Sequence, residues 1–309
     1  MKFIILKDHF RGTDTIVCNN HVMNHHGIWD ITDEDITKDN IEKLKMPEEK
    51  WQQVLDAVKA GKGDTDNSYY IPKFAVEYCR KLGANEDMRQ IVIDSKDPMC
   101  AFYWCKGVAY DPDMRQVIID SNSADWAYTY CREITLDLAS PNIDEDMRQI
   151  ILNADSPQFS YLYYKNINKD PDMRQMVLDS NFHGWKVKWC KEIGFDEEMY
   201  QKLLDTKTPY WAIEYCKEMG VDDKMRQMLI DSKNPMQAYY WCLEVDVDEE
   251  VRQIIIDEKD PQYAYLYCRC VSNDNDMSQV IIDSGDREWA LEYCIYVSDN
   301  NDMRQLILS

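Results

Sequence analysis

Histidine and cysteine are the side chains best suited to chemistry near neutral pH, and both are unevenly placed in this chain. Four of the five histidines, His9, His21, His25 and His26, fall in the first 26 residues, beside Cys18. The run Cys18-x2-His21-x3-His25 holds donors of the kind zinc takes, but its spacing matches no strong zinc signature. A solvated or partner-facing loop is the better expectation, with no resident metal or other cofactor. Eight of the eleven cysteines (Cys79, Cys105, Cys131, Cys190, Cys216, Cys242, Cys268 and Cys294) share one register of a repeat described below. Equivalent positions in stacked helices lie about 10 Å apart. That exceeds the roughly 4.4–6.8 Å Cα separation a disulfide tolerates, and a translated column cannot converge on one ion. Buried, reduced, alanine-sized packing is expected there. No nucleophile–base constellation and no glycine-rich phosphate loop appears, so the chain does not read as an enzyme.

Carboxylates are the remaining chemistry. In 309 residues, 57 acidic side chains face 35 basic ones, a net charge of -22. Nucleic acid and anionic membranes both need a basic face, so direct binding to either is not expected. With 45% hydrophobic and 12% aromatic residues, the chain has ample apolar surface for a folded core. No apolar stretch approaches the ~18 residues of a membrane span. The opening Met1–Asp8 has too short an apolar run for a signal peptide, which favours a cytoplasmic location.

The carboxylates are ordered by an internal repeat. The tetrapeptide Asp-Met-Arg-Gln and its variants recur at Met88, Met114, Met147, Met173, Met199, Met225, Val251, Met277 and Met303, in steps of 26 residues with one step of 33. Units fill residues 85–309, with an insertion near 136–143. Counting the Met slot as zero, slot -3 is Asp or Asn in all nine units, the types that cap helix N-termini. Pro112 and Pro171 follow at a first helical position. Each first helix then carries consecutive apolar residues, as in Ile254-Ile255-Ile256, and should be sandwiched between neighbours. Slot +9 repeats the capping signal (Asp97, Ser123, Ser156, Thr208, Asn234, Asp260 and Asp286). Phe182 interrupts it, and Asn181 offers a substitute cap. The second helix presents small +13 (such as Ala101 and Ala264), aromatic +16 (such as Trp104 and Trp241), Cys +17 and apolar +20 on one face.

Helical pairs of this kind cannot bury their faces alone and must stack. The expected fold class is mostly α, an α-solenoid of about eight to nine two-helix repeats forming a rod roughly 80 Å long. Pro72, Ala75, Tyr78 and Cys79 extend the second-helix template backwards, and residues 47–60 resemble a degenerate first helix. Residues 1–46 fit no repeat; their Phe3–Leu6 and Thr15–Val17 runs suggest a small N-terminal α+β cap. The expected domains are therefore 1–46 and 47–309.

Slots -3 to -1 hold 20 carboxylates and one lysine, Lys224. Stacking would align them into an acidic edge, and the candidate partner-binding residues are Asp144, Glu145, Asp146, Asp170, Asp172, Asp196, Glu197, Glu198, Asp222, Asp223, Asp248, Glu249 and Glu250. Capping and the helix dipole favour acids at these positions for structural reasons alone. Arg at +1 should pair with neighbouring acids. Gln at +2 and Asp at +6 are four residues apart and can bond to each other.

The units, typified by Asp260-Pro-Gln-Tyr-Ala-Tyr-Leu-Tyr-Cys268, resemble the short helical repeats of bacteriophage and giant-virus proteins, and HEAT-like solenoids in general. The likeness covers residues 72–309, with Cys where that pattern usually has Ala. It implies a protein-binding scaffold of viral origin and no catalytic residue. The expected function is a non-enzymatic, acidic protein-binding scaffold. Its most specific form is a phage inhibitor that covers a basic surface of a host defence or nucleic-acid-binding protein, as a polyanion mimic. The alternative is an assembly protein that forms homo-oligomers through an apolar end near Leu306, Ile307 and Leu308.

Overall fold

A computed structural model describes residues 3–6, 15–18, 21–24, 27–30, 70–135 and 144–309. The chain divides into two compact units, Met1–Phe159 and Ser160–Ser309. The expected boundary at 46/47, the helix expected over 47–60 and the insertion at 136–143 lie outside the described residues. In the first unit, strands β1 (Phe3–Leu6), β2 (Thr15–Cys18), β3 (His21–Asn24) and β4 (Gly27–Asp30) pair antiparallel in sequence order. The expected N-terminal α+β cap is not supported as such: among the described residues no helix precedes Tyr70, and the strands fall in the same compact unit as the first helices.

From Tyr70 onward the described chain is a run of short helices, as the repeat requires. All nine slot -3 side chains cap a helix by accepting an amide hydrogen bond from its first turn, from Asn85 to Asn300. The slot-zero residue behind each cap is fully buried in every unit, and so is the residue four positions on, from Val92 to Ile281. The middle of each apolar triplet is thus the one enclosed on all sides. Alanine at +13 is fully buried wherever it occurs, because second helices of successive repeats approach each other across it. The aromatic at +16 fills the space beside it.

One feature differs from the expected unit. The most closely packed pair is a second helix with the first helix that follows it, such as Pro98–Gly107 with Pro112–Asp120 or Pro261–Cys270 with Asn275–Ser284. The structural hairpin therefore turns at the acidic loop, which is a tight corner. Where the insertion begins, the second helix ends in a π-helical turn, Cys131–Thr135.

First helices end at slot +8 in the left-handed region. Lys96, Asn122, Asp155, Lys207, Lys233 and Lys259 all sit there with φ between 49° and 54°, and Gly285 takes the same slot at 70°. A side chain in this region costs roughly 1–2 kcal/mol, part of which glycine returns as unfolded-state entropy. Lys259→Gly is expected to stabilise the protein by about 0.5–1 kcal/mol, and Gly285→Ala to destabilise it similarly, in urea unfolding.

Candidate functional site

Five of the acidic corners are built around an arginine of the repeat before. Arg252, on the Glu249–Glu258 helix, donates from Nε and Nη2 to the two carboxylate oxygens of Asp274 at 2.7 and 2.8 Å. Its Nη2 also reaches Asp276 at 2.6 Å, and Nη1 reaches Glu249 of its own helix at 2.8 Å. One guanidinium thus serves three carboxylates across two repeats, the planar fork geometry that lysine cannot reproduce. Arg226 grips Asp248 and Glu250 in the same way, Arg174 grips Asp196 and Glu198, and Arg115 grips Asp144 and Asp146. Arg89 holds Asp111, Asp113 and Glu86. Where the +1 residue is Tyr200, its hydroxyl donates to Asp222 at 2.7 Å.

The thirteen candidate carboxylates therefore separate by slot. Asp144, Asp196 and Asp248 at -3 are tucked in, each capping a helix while bound by an arginine from the repeat before; the Asp144 side chain is 9% exposed. Asp222 caps and accepts from Tyr200, and Asp170 is buried and caps. At -1, Asp146, Glu198 and Glu250 share the same arginines yet stay well exposed, and Asp172 is exposed too. At -2, Glu145 (68% exposed) and Glu249 (77%) pair with Arg148 and Arg252 of their own helices, and Glu197 and Asp223 are exposed.

Arg89 and Arg226 hold the carboxyls of Asp111 and Asp248 below the usual carboxylate range. At Asp196 and Asp274, burial is the largest single influence and pushes the other way, but the arginine (Arg174 or Arg252) and the capped backbone amides together still hold the carboxyl low. The -3 acids are thus structural, and the outward charge belongs to slots -2 and -1. A corner such as that at Arg252 puts three carboxylates against one cation and keeps a charge of about -2.

The first helices carry a second ladder. Gln at +2 donates to the acid or amide at +6 in eight units, from Gln90 to Asp94 (2.8 Å) through Gln279 to Asp283 (2.7 Å), all on the exposed face. Shallow grooves of about 490, 520 and 400 Å³ lie between successive first helices along this face, beside Gln90, Gln227 and Gln253.

The cysteine column is packing, as expected. All eight cysteines of the column, with Cys100 and Cys270, are free thiols, and seven of the eight in the column are buried. Burial pushes Cys105, Cys216, Cys242 and Cys268 up to about 11 and Cys131 to about 12. The Cys105 and Cys268 thiols donate to the Asp111 and Asp274 carbonyls, tying the second helix to its corner. Since the thiolate is the nucleophile, a thiol reagent at pH 7.5 should label exposed Cys270 quickly. The buried column should react only after unfolding, as mass spectrometry of labelled peptides will show.

Two ladders on the second helices were not anticipated. Aromatic rings at +14 meet those at +12 of the next repeat: Phe102 with Trp126, Tyr161 with Trp185, and Tyr265 with Trp289, at 5.3–5.7 Å between centroids. A cation at +18 pairs with Glu at +19 of the next repeat, as in Lys217 with Glu244 at 2.8 Å and Lys191 with Glu218. Residue type varies at these slots, so the signal was the preference for ring and charge and not a fixed letter.

Two expected caps are absent. Asn181 does not cap the His183–Glu192 helix; its N-cap is Phe182, with no side-chain hydrogen bond. Thr208 makes none either, its hydroxyl donating instead to the Thr206 carbonyl.

Cys18 and His21 face each other in the β2–β3 register. Their side chains, and His25 altogether, lie outside the described residues. Among the described residues no cluster of histidine, cysteine and carboxylate suits a metal ion, and no helix is long and apolar enough to cross a membrane. Comparison with family models, curated proteins and solved structures finds no match, so the helical-repeat assignment rests on the sequence register and the packing.

Proposed function

We propose that this chain is a non-enzymatic acidic repeat scaffold whose corner carboxylates bind a basic surface of another protein. The observation that carries this reading is the three-to-one corner. The arginines are consumed inward, Arg252 being 11% exposed, while Asp276 and Glu249 keep their outer oxygens in water. A polyanion mimic needs its arginines neutralised or turned aside, and this geometry does both. Its sharpest form is a viral inhibitor that covers the nucleic-acid site of a host defence protein. The charge is sparser than duplex DNA, which carries about six charges per 10 Å, against about two per repeat here. A partner with spaced basic residues fits better than one built to follow a duplex.

The test is capture of partners on immobilised protein, identification by mass spectrometry, and titration of the captured partner at several salt concentrations. Affinity should fall about tenfold or more between 50 and 300 mM salt; a flat profile overturns the proposal. The assembly reading draws on exposed Leu291, Ile295, Tyr296 and Leu308. Sedimentation of a single monomeric species would remove it.

A further inference from the structure

The repeat beginning at Met173 breaks its own pattern in several slots at once. Its first helix ends with Ser180 in extended backbone, not in the left-handed turn used by most units. Phe182 stands at the cap slot, 68% exposed, and Lys186 replaces the small +13 residue. The second helix here and the next one, Pro209–Met219, are the two described helices with an identified N-cap residue that makes no side-chain cap bond. Both wall the same open cleft, of about 410 Å³.

Its surface is aromatic: Phe182, Trp185 and Trp211, with His183 set edge-on to Trp211 at 5.6 Å. The Nδ1 atom of His183 is buried and has no hydrogen-bond partner. Lys188 holds its ammonium 5.0 Å from the Trp185 ring, and its nearest acid, Glu192, is 4.0 Å away. No carboxylate lines this cleft, whereas each of the three grooves between first helices has at least one. In a chain of net charge -22 that exclusion is a local reversal of character.

We infer that this cleft binds a small planar aromatic anion, its ring against Trp185 and Trp211 and its acidic group toward Lys188 and the start of the His183–Glu192 helix, whose cap residue Phe182 makes no side-chain bond. Apolar walls with a few convergent polar groups are the usual make-up of a small-molecule site. Helix N-termini and a lysine both favour negative charge. A cation is disfavoured by the same groups, although rings alone would accept one. Access is controlled at Gly184, where an added Cβ would lie 3.9 Å from the Trp211 ring, so a larger side chain would lie across the cleft.

The full-length protein should be titrated with 8-anilinonaphthalene-1-sulfonate and, separately, with N-phenyl-1-naphthylamine, the same rings without the sulfonate. The expected result is one saturable sulfonate site, with the neutral probe at least tenfold weaker. Gly184→Phe should weaken the sulfonate at least tenfold and Lys188→Glu about tenfold, with unchanged circular dichroism. If Gly184→Phe does not fold, Lys188→Glu and the probe pair still decide the matter. Equal binding of both probes, insensitivity to Lys188→Glu, an unaffected folded Gly184→Phe, or no saturable binding would each overturn the inference.

Discussion

Arg252→Ala should cost about 3 kcal/mol of stability, the largest loss from any single surface-facing residue. The side chains of Arg252 and Asp274 are 11% and 14% exposed, so the pair sits where water competes poorly. A charge-assisted hydrogen bond contributes about 1.5–3 kcal/mol, and removing the guanidinium leaves Asp274 half-buried beside Asp276 without its counter-charge. Asp274 would still cap its helix, which limits the damage. Arg252→Lys should recover less than half, because an ammonium cannot bond both oxygens of Asp274 in one plane. Arg304→Ala is the control: its partner Asp299 is 61% exposed, and exposed pairs are worth about 0–1 kcal/mol. Chemical denaturation read by tryptophan fluorescence gives all three.

The same joints set the acid limit of the fold. Asp111 and Asp248 have lowered folded-state pKa values, so their contribution is complete above the unfolded carboxyl range near pH ~4. It disappears as pH falls through the lower folded values.

Lys186→Met should act in the opposite direction, stabilising the protein by about 2 kcal/mol at pH 7. The Lys186 side chain is fully buried and donates to the Ser180 carbonyl. Burial, with Lys202 nearby, pulls its pKa from 10.5 down to about 8. That shift corresponds to about 3 kcal/mol against the charged folded state. The lost hydrogen bond returns about 1 kcal/mol. The unfolded chain binds the proton more tightly, so the wild type gains stability as pH rises from about 8 to 10.5. The advantage of Lys186→Met should shrink over that window and vanish above it. A constant difference from pH 7 to 11 would show that Lys186 is not penalised by burial. A repeat that carries such a cost, where its neighbours have the small residues Ser160 and Ala212, fits a site kept for something other than stability.

The register, the caps and the buried slots were legible because the repeat presents each of them many times. Nine Asp or Asn residues at one position cannot be mistaken for loop composition. The pairing of Arg with acid was legible in kind, but not in its geometry: Asp144 and Glu145 are adjacent letters with opposite fates, one tucked against Arg115 and the other facing water. That difference arises where two helices meet at a corner, and chain order alone does not say which side of the corner turns inward. For the same reason the hairpin was placed half a repeat out of phase. The break in the cap column at Phe182 was visible in the sequence, but that Asn181 does not replace it, that Thr208 makes no cap bond and that a cleft lies beside them needed three dimensions.

The most direct test of the acidic scaffold is a matched pair of charge reversals. Glu197, Asp223 and Glu249 changed together to Lys alter the acidic edge of the second unit without removing a -3 cap. Asp125, Glu258 and Glu288 changed to Lys shift net charge equally on exposed positions away from the acidic corners. With the captured partner in a titration calorimeter, the edge variant should lose at least tenfold in affinity, and the matched variant should keep wild-type binding within about threefold. Equal binding by the two variants, whether both strong or both weak, would contradict recognition through the corners.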